Sequence, residues 1–192
     1  MKLIILDRDG VINQDRDDFV KSADEWIPIE GSMDAIAFLT QAGYTVAVAT
    51  NQSGIGRKYF TVQDLTEMHA KMHRLAVQAG GAIDGIWFCP HTAADNCDCR
   101  KPKPGMICDI LERFKADPAE TWLVGDSLRD LQAIDAAGGK SALVLTGKGK
   151  KTLAKHEQDL PEHTQVFDNL LAFSQYIMRK NTQIEEAAQA IL

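Results

Sequence analysis

A doubly wound α/β fold on a parallel sheet is predicted for this chain by three observations. Short apolar runs rich in β-branched residues alternate with amphipathic segments of helical period. The runs are apolar on both of their faces, as strands covered above and below by helices must be. The residues with chemistry to offer stand at the carboxyl ends of those runs: Asp9 after the first, Thr50-Asn51 after the second, Cys89 at the end of the third and Asp126 after the fourth. Folds of this class bind ligands at that edge. Scattered capping residues have no reason to gather there.

In chain order, strands are expected over 2–6, 44–50, 85–89, 121–125 and 141–145, with a weaker one over 165–167. Helices are expected over 32–41, 62–78, 105–114 and 128–137. Pro102 and Pro104 hold the chain out of helix until Gly105. Gly43, Gly80-Gly81 and Gly138-Gly139 stand where helices should stop. Residues 147–151 read as a flexible basic loop and 181–192 as a final helix. The organisation expected is one domain over 1–180, with a metal loop at 89–99, followed by a helical tail over 181–192.

With 192 residues, 45% of them hydrophobic, the chain has enough material for one well-buried core. A net charge of −6 leaves no basic footprint for nucleic acid, and a phosphorylated substrate would need local cations. No apolar run reaches 18 residues, and the N-terminus lacks the pattern of a cleaved signal. A cytoplasmic monomer that contacts neither membrane nor nucleic acid is expected.

Asp7-Arg8-Asp9-Gly10 follows Leu3-Ile4-Ile5-Leu6 directly. In extended chain, side chains two apart share a face, so Asp7 and Asp9 lie side by side. Such a pair is repulsive at a buried strand end unless a divalent cation offsets the charge; a capping turn is the bland alternative. A metal-held carboxylate beside one that shuttles protons also suits covalent phosphoryl transfer. In Gly125-Asp126-Ser127-Leu128-Arg129-Asp130, Asp126 offers a second carboxylate to the cation, and Mg²⁺ favours few carboxylates plus substrate oxygens. Asp130, one turn into the helix, either caps it or supports the site.

Thr50-Asn51-Gln52-Ser53-Gly54 ends the second strand in a polar turn able to donate to phosphate oxygens, although turns of this composition also occur without any ligand. Gly54-Ile55-Gly56 lacks the spacing of a dinucleotide loop. Arg100 and Lys101 precede a helix start on a proline-stiffened segment, Arg suited to bidentate phosphate contact and Lys to a point charge. Lys103 fits a solvated loop. Cys89, His91, Cys97 and Cys99 make a closed set of three thiolates and an imidazole, the composition of a structural zinc site. A cytosolic chain of this size favours metal over disulfides there. Cys108 falls among Met106, Ile107, Ile110 and Leu111 and is expected to be a buried small hydrophobe. His69 and His73 share one helix face with no neighbouring glutamate of the metalloprotease kind, and are expected on a half-exposed surface. Trp26, Trp87 and Trp122 read as packing residues.

Taken together, Asp-x-Asp-Gly, Thr-Asn, Lys-Pro and Gly-Asp-Ser, each after its strand, resemble the haloacid dehalogenase superfamily of phosphatases. The longer strings Asp7-Arg8-Asp9-Gly10-Val11-Ile12-Asn13, Thr50 to Ile55, the Cys-x-His…Cys-x-Cys-Arg-Lys-Pro-x-Pro-Gly-Met segment and Gly-Asp-Ser-x-x-Asp-Leu-Gln-Ala resemble its sugar-bisphosphate branch. The resemblance covers roughly the first 150 residues. It implies a Rossmann-like fold with a minimal loop cap and a sugar bisphosphate substrate. It also implies Asp7 as nucleophile, Asp9 as general acid and base, and Thr50 and Lys101 on the phosphoryl group. Asp7, Asp9 through its backbone, and Asp126 would hold Mg²⁺; Cys89, His91, Cys97 and Cys99 would hold structural Zn²⁺. Asn51, Gln52, Ser53, Arg100 and the loop residues Asp15, Arg16, Asp17 and Asp18 would meet the substrate. That loop departs from the Gly-Tyr-Val-His form of some members, and Ser127 replaces a lysine. Histidinol-phosphate phosphatase, which has a similar zinc loop, and a non-catalytic sugar-phosphate binder are the competing readings; a nucleic-acid 3′-phosphatase is opposed by the acidic charge.

Overall fold

In the computed structural model, which describes residues 1–189, the elements follow one another as β1 (Leu3–Leu6), α1 (Ser32–Gln41), β2 (Thr45–Asn51), α2 (Ser53–Gly56), α3 (Val62–Gln78), β3 (Gly85–Cys89), α4 (Gly105–Phe114), β4 (Trp122–Gly125), α5 (Leu128–Ala136), β5 (Lys140–Val144), α6 (Gly149–His156), β6 (Gln165–Phe167) and α7 (Leu170–Gln189). The strands form one sheet in the order β3-β2-β1-β4-β5-β6, every neighbouring pair parallel. The order reverses direction at β1 and β4, so the crevice where ligands of such sheets bind opens between the ends of those two strands.

The strand pattern divides the core in two. Ile4, Leu6, Val46, Val48, Trp122 and Val124 face one way and meet Ile36 and Leu39 of α1, Leu65, Met68 and Met72 of α3, and Phe173 and Ile177 of α7. Leu3, Ile5, Ala47, Ala49 and Leu123 face the other way, against Met106, Ile107, Ile110 and Leu111 of α4 and Ile134 of α5. A side-chain period of two within runs apolar throughout is what helices on both faces demand. Trp26 and Trp122 are buried and Trp87 packs against the second cluster, as expected.

Three expectations need correction. Residues 149–156 form a helix, not a flexible loop: the Lys148 carbonyl accepts from the Thr152 amide, and the Thr152 hydroxyl donates to the Asp126 carbonyl at 2.9 Å. With few apolar residues, this turn is held by its contact with the fourth strand's end. The helix expected over 181–192 is the far part of α7, which begins at Leu170 and runs through 181 unbroken; residues 190–192 lie outside the described range. Cys108 is exposed, because its side of α4 turns away from the face carrying Ile107, Ile110 and Leu111.

Candidate active site

The end of β1 delivers Asp7 into a buried group of charges. Lys101, itself 1% exposed, places its Nζ 3.0 Å from Asp7 Oδ1 and 2.6 Å from Asp130 Oδ1, and donates to the Ala49 carbonyl at 2.7 Å. The Arg8 amide adds a second donor to Asp7 Oδ1 at 2.8 Å. Asp130 does both things expected of it: its carboxylate closes a capping box with Ser127 at the start of α5 and pairs with Lys101. Carboxylate oxygens of Asp7, Asp126 and Asp130 all come within 4.8 Å of one another. Burial, with Asp130 next, pushes the Asp7 carboxyl up to about 6, and burial with Asp130 and Asp7 pushes Asp126 up to about 8. Burial opposes the charge on Lys101, but Asp130 and Asp7 outweigh it and hold the ammonium above its usual range. Crowded carboxylates of this kind suit a hard divalent cation.

Asp126 is seated by backbone. The Lys148 amide donates to its Oδ2 at 2.7 Å, and Gly10 and Gly147 close over the same carboxylate. Both glycines have positive φ, and a Cβ on either would collide with Asp126 Oδ2, so only glycine serves there.

Asp9 points elsewhere. Its carboxylate takes Arg8 Nη2 at 2.9 and 3.0 Å, Asn13 Nδ2 at 2.9 Å and Gln52 Nε2 at 2.8 Å. Burial raises its pKa, but Arg8, Asn13 and Gln52 outweigh that and hold it below the usual carboxylate range. Gln52 also donates to Thr50 Oγ1 at 2.8 Å, joining the second strand's end to the first.

Around the Asp7 and Asp9 groups the remaining expected residues divide. Asn51 exchanges two hydrogen bonds with the Lys101 backbone, at 3.0 and 3.1 Å, and so braces the segment that carries the lysine. Ser53 begins α2 and is nearly buried. Asp15 reaches across to Lys148 Nζ at 2.8 Å, while Arg16, Asp17 and Asp18 are exposed, and Arg16 and Lys21 both pair with Asp18. Arg100 donates to the His91 carbonyl at 3.2 Å. Four residues that sequence reasoning passed over also belong here: Arg8, Asn13, Arg129 and Lys148. Arg129 is mostly buried and its Nε lacks a partner among the described residues, while Asp130, Asp7, Asp126 and Asp15 hold its charge. A lone arginine in the Gly-Asp-Ser segment was the only sign of it.

The Cys–His group gathers its four donor atoms within 4.8 Å of one another. Cys99 Sγ lies 3.2 Å from Cys89 Sγ, 3.4 Å from Cys97 Sγ and 3.4 Å from His91 Nδ1; Cys89 Sγ lies 3.6 Å from both Cys97 Sγ and His91 Nδ1. Zinc–sulfur bonds of about 2.3 Å imply tetrahedral edges of about 3.8 Å, close to these separations, so the four donors suit that ion. Lys103 clips the same loop by bonding the Asn96 carbonyl at 3.1 Å and Asp98 at 3.3 Å.

Comparison with known proteins places this geometry. The HAD-hydrolase-like family model matches residues 98–173. A D-glycero-β-D-manno-heptose-1,7-bisphosphate 7-phosphatase of Neisseria meningitidis serogroup B is 85% identical over 182 residues, 95% of this chain and 97% of that protein. The chain belongs to the D-glycero-β-D-manno-heptose-1,7-bisphosphate 7-phosphatase family. Another member of the heptose-bisphosphate phosphatase family, from Bordetella bronchiseptica, is 54% identical over 94% of this chain and 99% of its own length. The crystal structure of the B. bronchiseptica enzyme with magnesium and phosphate superposes with a TM-score of 0.91, at 54% identity and over 94% and 99% of the two chains. The Burkholderia thailandensis heptose-bisphosphate phosphatase structure gives 0.74 at 50% identity, over 93% and 99%.

Proposed function

We propose that this chain is a Mg²⁺-dependent phosphatase that removes the 7-phosphate of D-glycero-D-manno-heptose 1,7-bisphosphate, a step toward nucleotide-activated heptose for lipopolysaccharide. The observation that carries this reading is the buried Asp7 held 3.0 Å from Lys101, in a chain 85% identical to such an enzyme. Asp7 attacks phosphorus; its bond to phosphorus forms as the bond to the sugar oxygen breaks, and Asp9, which must first take up a proton against the pull of Arg8, Asn13 and Gln52, delivers it to that oxygen. Water then attacks the aspartyl-phosphate, Asp9 takes the water proton, and Asp7 leaves with release of inorganic phosphate. Lys101 and the Thr50 hydroxyl meet the charge on the phosphoryl oxygens throughout. Asp7, the Asp9 backbone carbonyl and Asp126 would hold Mg²⁺, whose chemistry is to neutralise the carboxylates and polarise the phosphoryl group.

The zinc set Cys89, His91, Cys97 and Cys99 fixes the loop that ends in Arg100 and Lys101. Arg100 and Arg129 supply the cations for the phosphate that is not transferred, Arg129 offsetting the lysine that Ser127 replaces. Asp15 and Arg16–Asp18 border the sugar. A monomer that works in the cytoplasm is part of this proposal; among the described residues no helix is long and apolar enough to cross a membrane. The test is phosphate release with Mg²⁺ from heptose 1,7-bisphosphate and histidinol phosphate in parallel. Strong preference for the heptose and an inert Asp7→Asn enzyme are expected. Preference for histidinol phosphate would overturn the substrate, and near-normal turnover by Asp7→Asn would overturn the nucleophile.

A further inference from the structure

We propose that Arg8 and His69 are positioning residues for the general acid: Arg8 grips the Asp9 carboxylate in one plane, and His69, reaching in from α3, holds Arg8. The inference rests on the phosphatase reading of the site. Arg8 is wholly buried, and among the described residues its one ion pair is with Asp9, 2.9 Å away. The grip is a fork, Nη2 meeting both carboxylate oxygens and Nε meeting Oδ1 at 3.3 Å, which fixes orientation as a single lysine contact does not. The other end of the guanidinium is also held. Nη1 donates to His69 Nε2 at 3.4 Å, beside Met68 Sδ at 3.9 Å. Because arginine only donates, His69 must accept through Nε2 and carry its proton on Nδ1. Burial and Arg8 lower the His69 pKa to about 3, which keeps the ring a neutral acceptor. Its ring packs edge-on against Phe88 at 6.4 Å between centroids, so β3 steadies it in turn.

Burying a guanidinium is expensive, and an apolar side chain in the same space commonly serves stability as well or better. The position is therefore occupied by the one side chain able to fork a carboxylate. The Arg8 fork favours the ionised carboxylate, so Asp9 must take up a proton before it acts, and must then bring it within hydrogen-bond reach of the leaving oxygen, where general acid catalysis contributes about 10²- to 10⁴-fold. A carboxyl free to rotate loses part of that factor.

The test compares kcat/KM for heptose 1,7-bisphosphate, whose sugar oxygen needs a proton to leave, with kcat/KM for 4-nitrophenyl phosphate, whose phenolate leaves without one. Arg8→Met is expected to lower the first by about 100-fold and the second at least tenfold less. His69→Leu is expected to show the same asymmetry at about five- to tenfold, and His69→Gln, whose carbonyl can accept from Arg8, to restore it. Equal losses on both substrates would mark Arg8 and His69 as merely structural, and no loss on either would also overturn the proposal. Should Arg8→Met fail to fold, the Leu and Gln variants of His69 decide the matter by themselves. A wild-type enzyme inert on both substrates would overturn the phosphatase reading and this assignment with it, a result distinct from a symmetric loss in the variants.

Discussion

Lys101 is the residue on which the charge balance of the site turns, since it bridges Asp7 and Asp130 while Asp126 is left to backbone donors. The consequence can be read in stability against pH. Asp126 rises from its ordinary 3.8 to about 8 in the fold, so the folded state holds its proton more tightly than the unfolded chain does. That contribution is full below pH 3.8 and is lost as pH rises through about 8. Asp9 and Asp130 are shifted down and are already ionised on both sides of the transition above pH 7; His69 is neutral in both states there. With zinc bound, so that its cysteine ligands do not titrate, Mg²⁺-free enzyme is therefore expected to lose about 1 kcal/mol between pH 7 and pH 9, or about 2–4 °C in Tm for a domain of this size. Mg²⁺ should raise Tm more at pH 9 than at pH 7, and Asp126→Asn should flatten both trends. Thermal scans of the zinc-loaded enzyme with and without added Mg²⁺ check it; a Tm that climbs from pH 7 to 9 without Mg²⁺ would contradict the burial of that carboxyl.

Among the elements, the zinc loop has the clearest mechanical task, because its last ligand, Cys99, stands two residues before Lys101. Cys99→Ser is expected to release the bound zinc, lower Tm and reduce kcat/KM at least tenfold, whereas Cys108→Ser, on the exposed side of α4, should alter none of these; metal analysis alongside the assay separates the two. Which elements could be read from the chain follows from their chemistry. The strands and α1, α3, α4 and α5 carry apolar periodicity and were legible nearly to the residue. α6 was not, because Gly149-Lys150-Lys151 has no apolar stripe and the turn is fixed by Asp126, far away in sequence. The same limit hid Arg8 and His69, whose contact spans 61 positions. Asp7, Asp9, Asp126 and the cysteine set could be found because strand ends and short spacings bring them together with little help from the rest of the chain. Cys108 shows another limit: an apolar helical run does not by itself say which face of the helix each residue occupies, and Cys108 lies on the exposed one.

At the scale of the molecule, α7 closes the sheet's first face from the end remote from the site. Phe173 and Ile177 are buried, and Phe173 meets Trp122 and Phe167 edge-on at 5.7 and 5.4 Å. Phe173→Ala should cost about 3–5 kcal/mol and show as a large fall in Tm. Ending the chain after Asn181 keeps the Tyr44 hydroxyl bond to Asn181, 3.2 Å long, and should leave Tm within about 2 °C and activity intact. A large loss on that truncation would count against a phosphatase domain complete by residue 180. Asn181 lies beside Tyr44, ahead of the start of β2, whereas Asp7, Lys101 and Asp126 gather where the strands finish. An enzyme anchored to a bead or an electrode through the end of α7 would therefore stand with its mouth facing the solution, and its substrate could enter without passing the support.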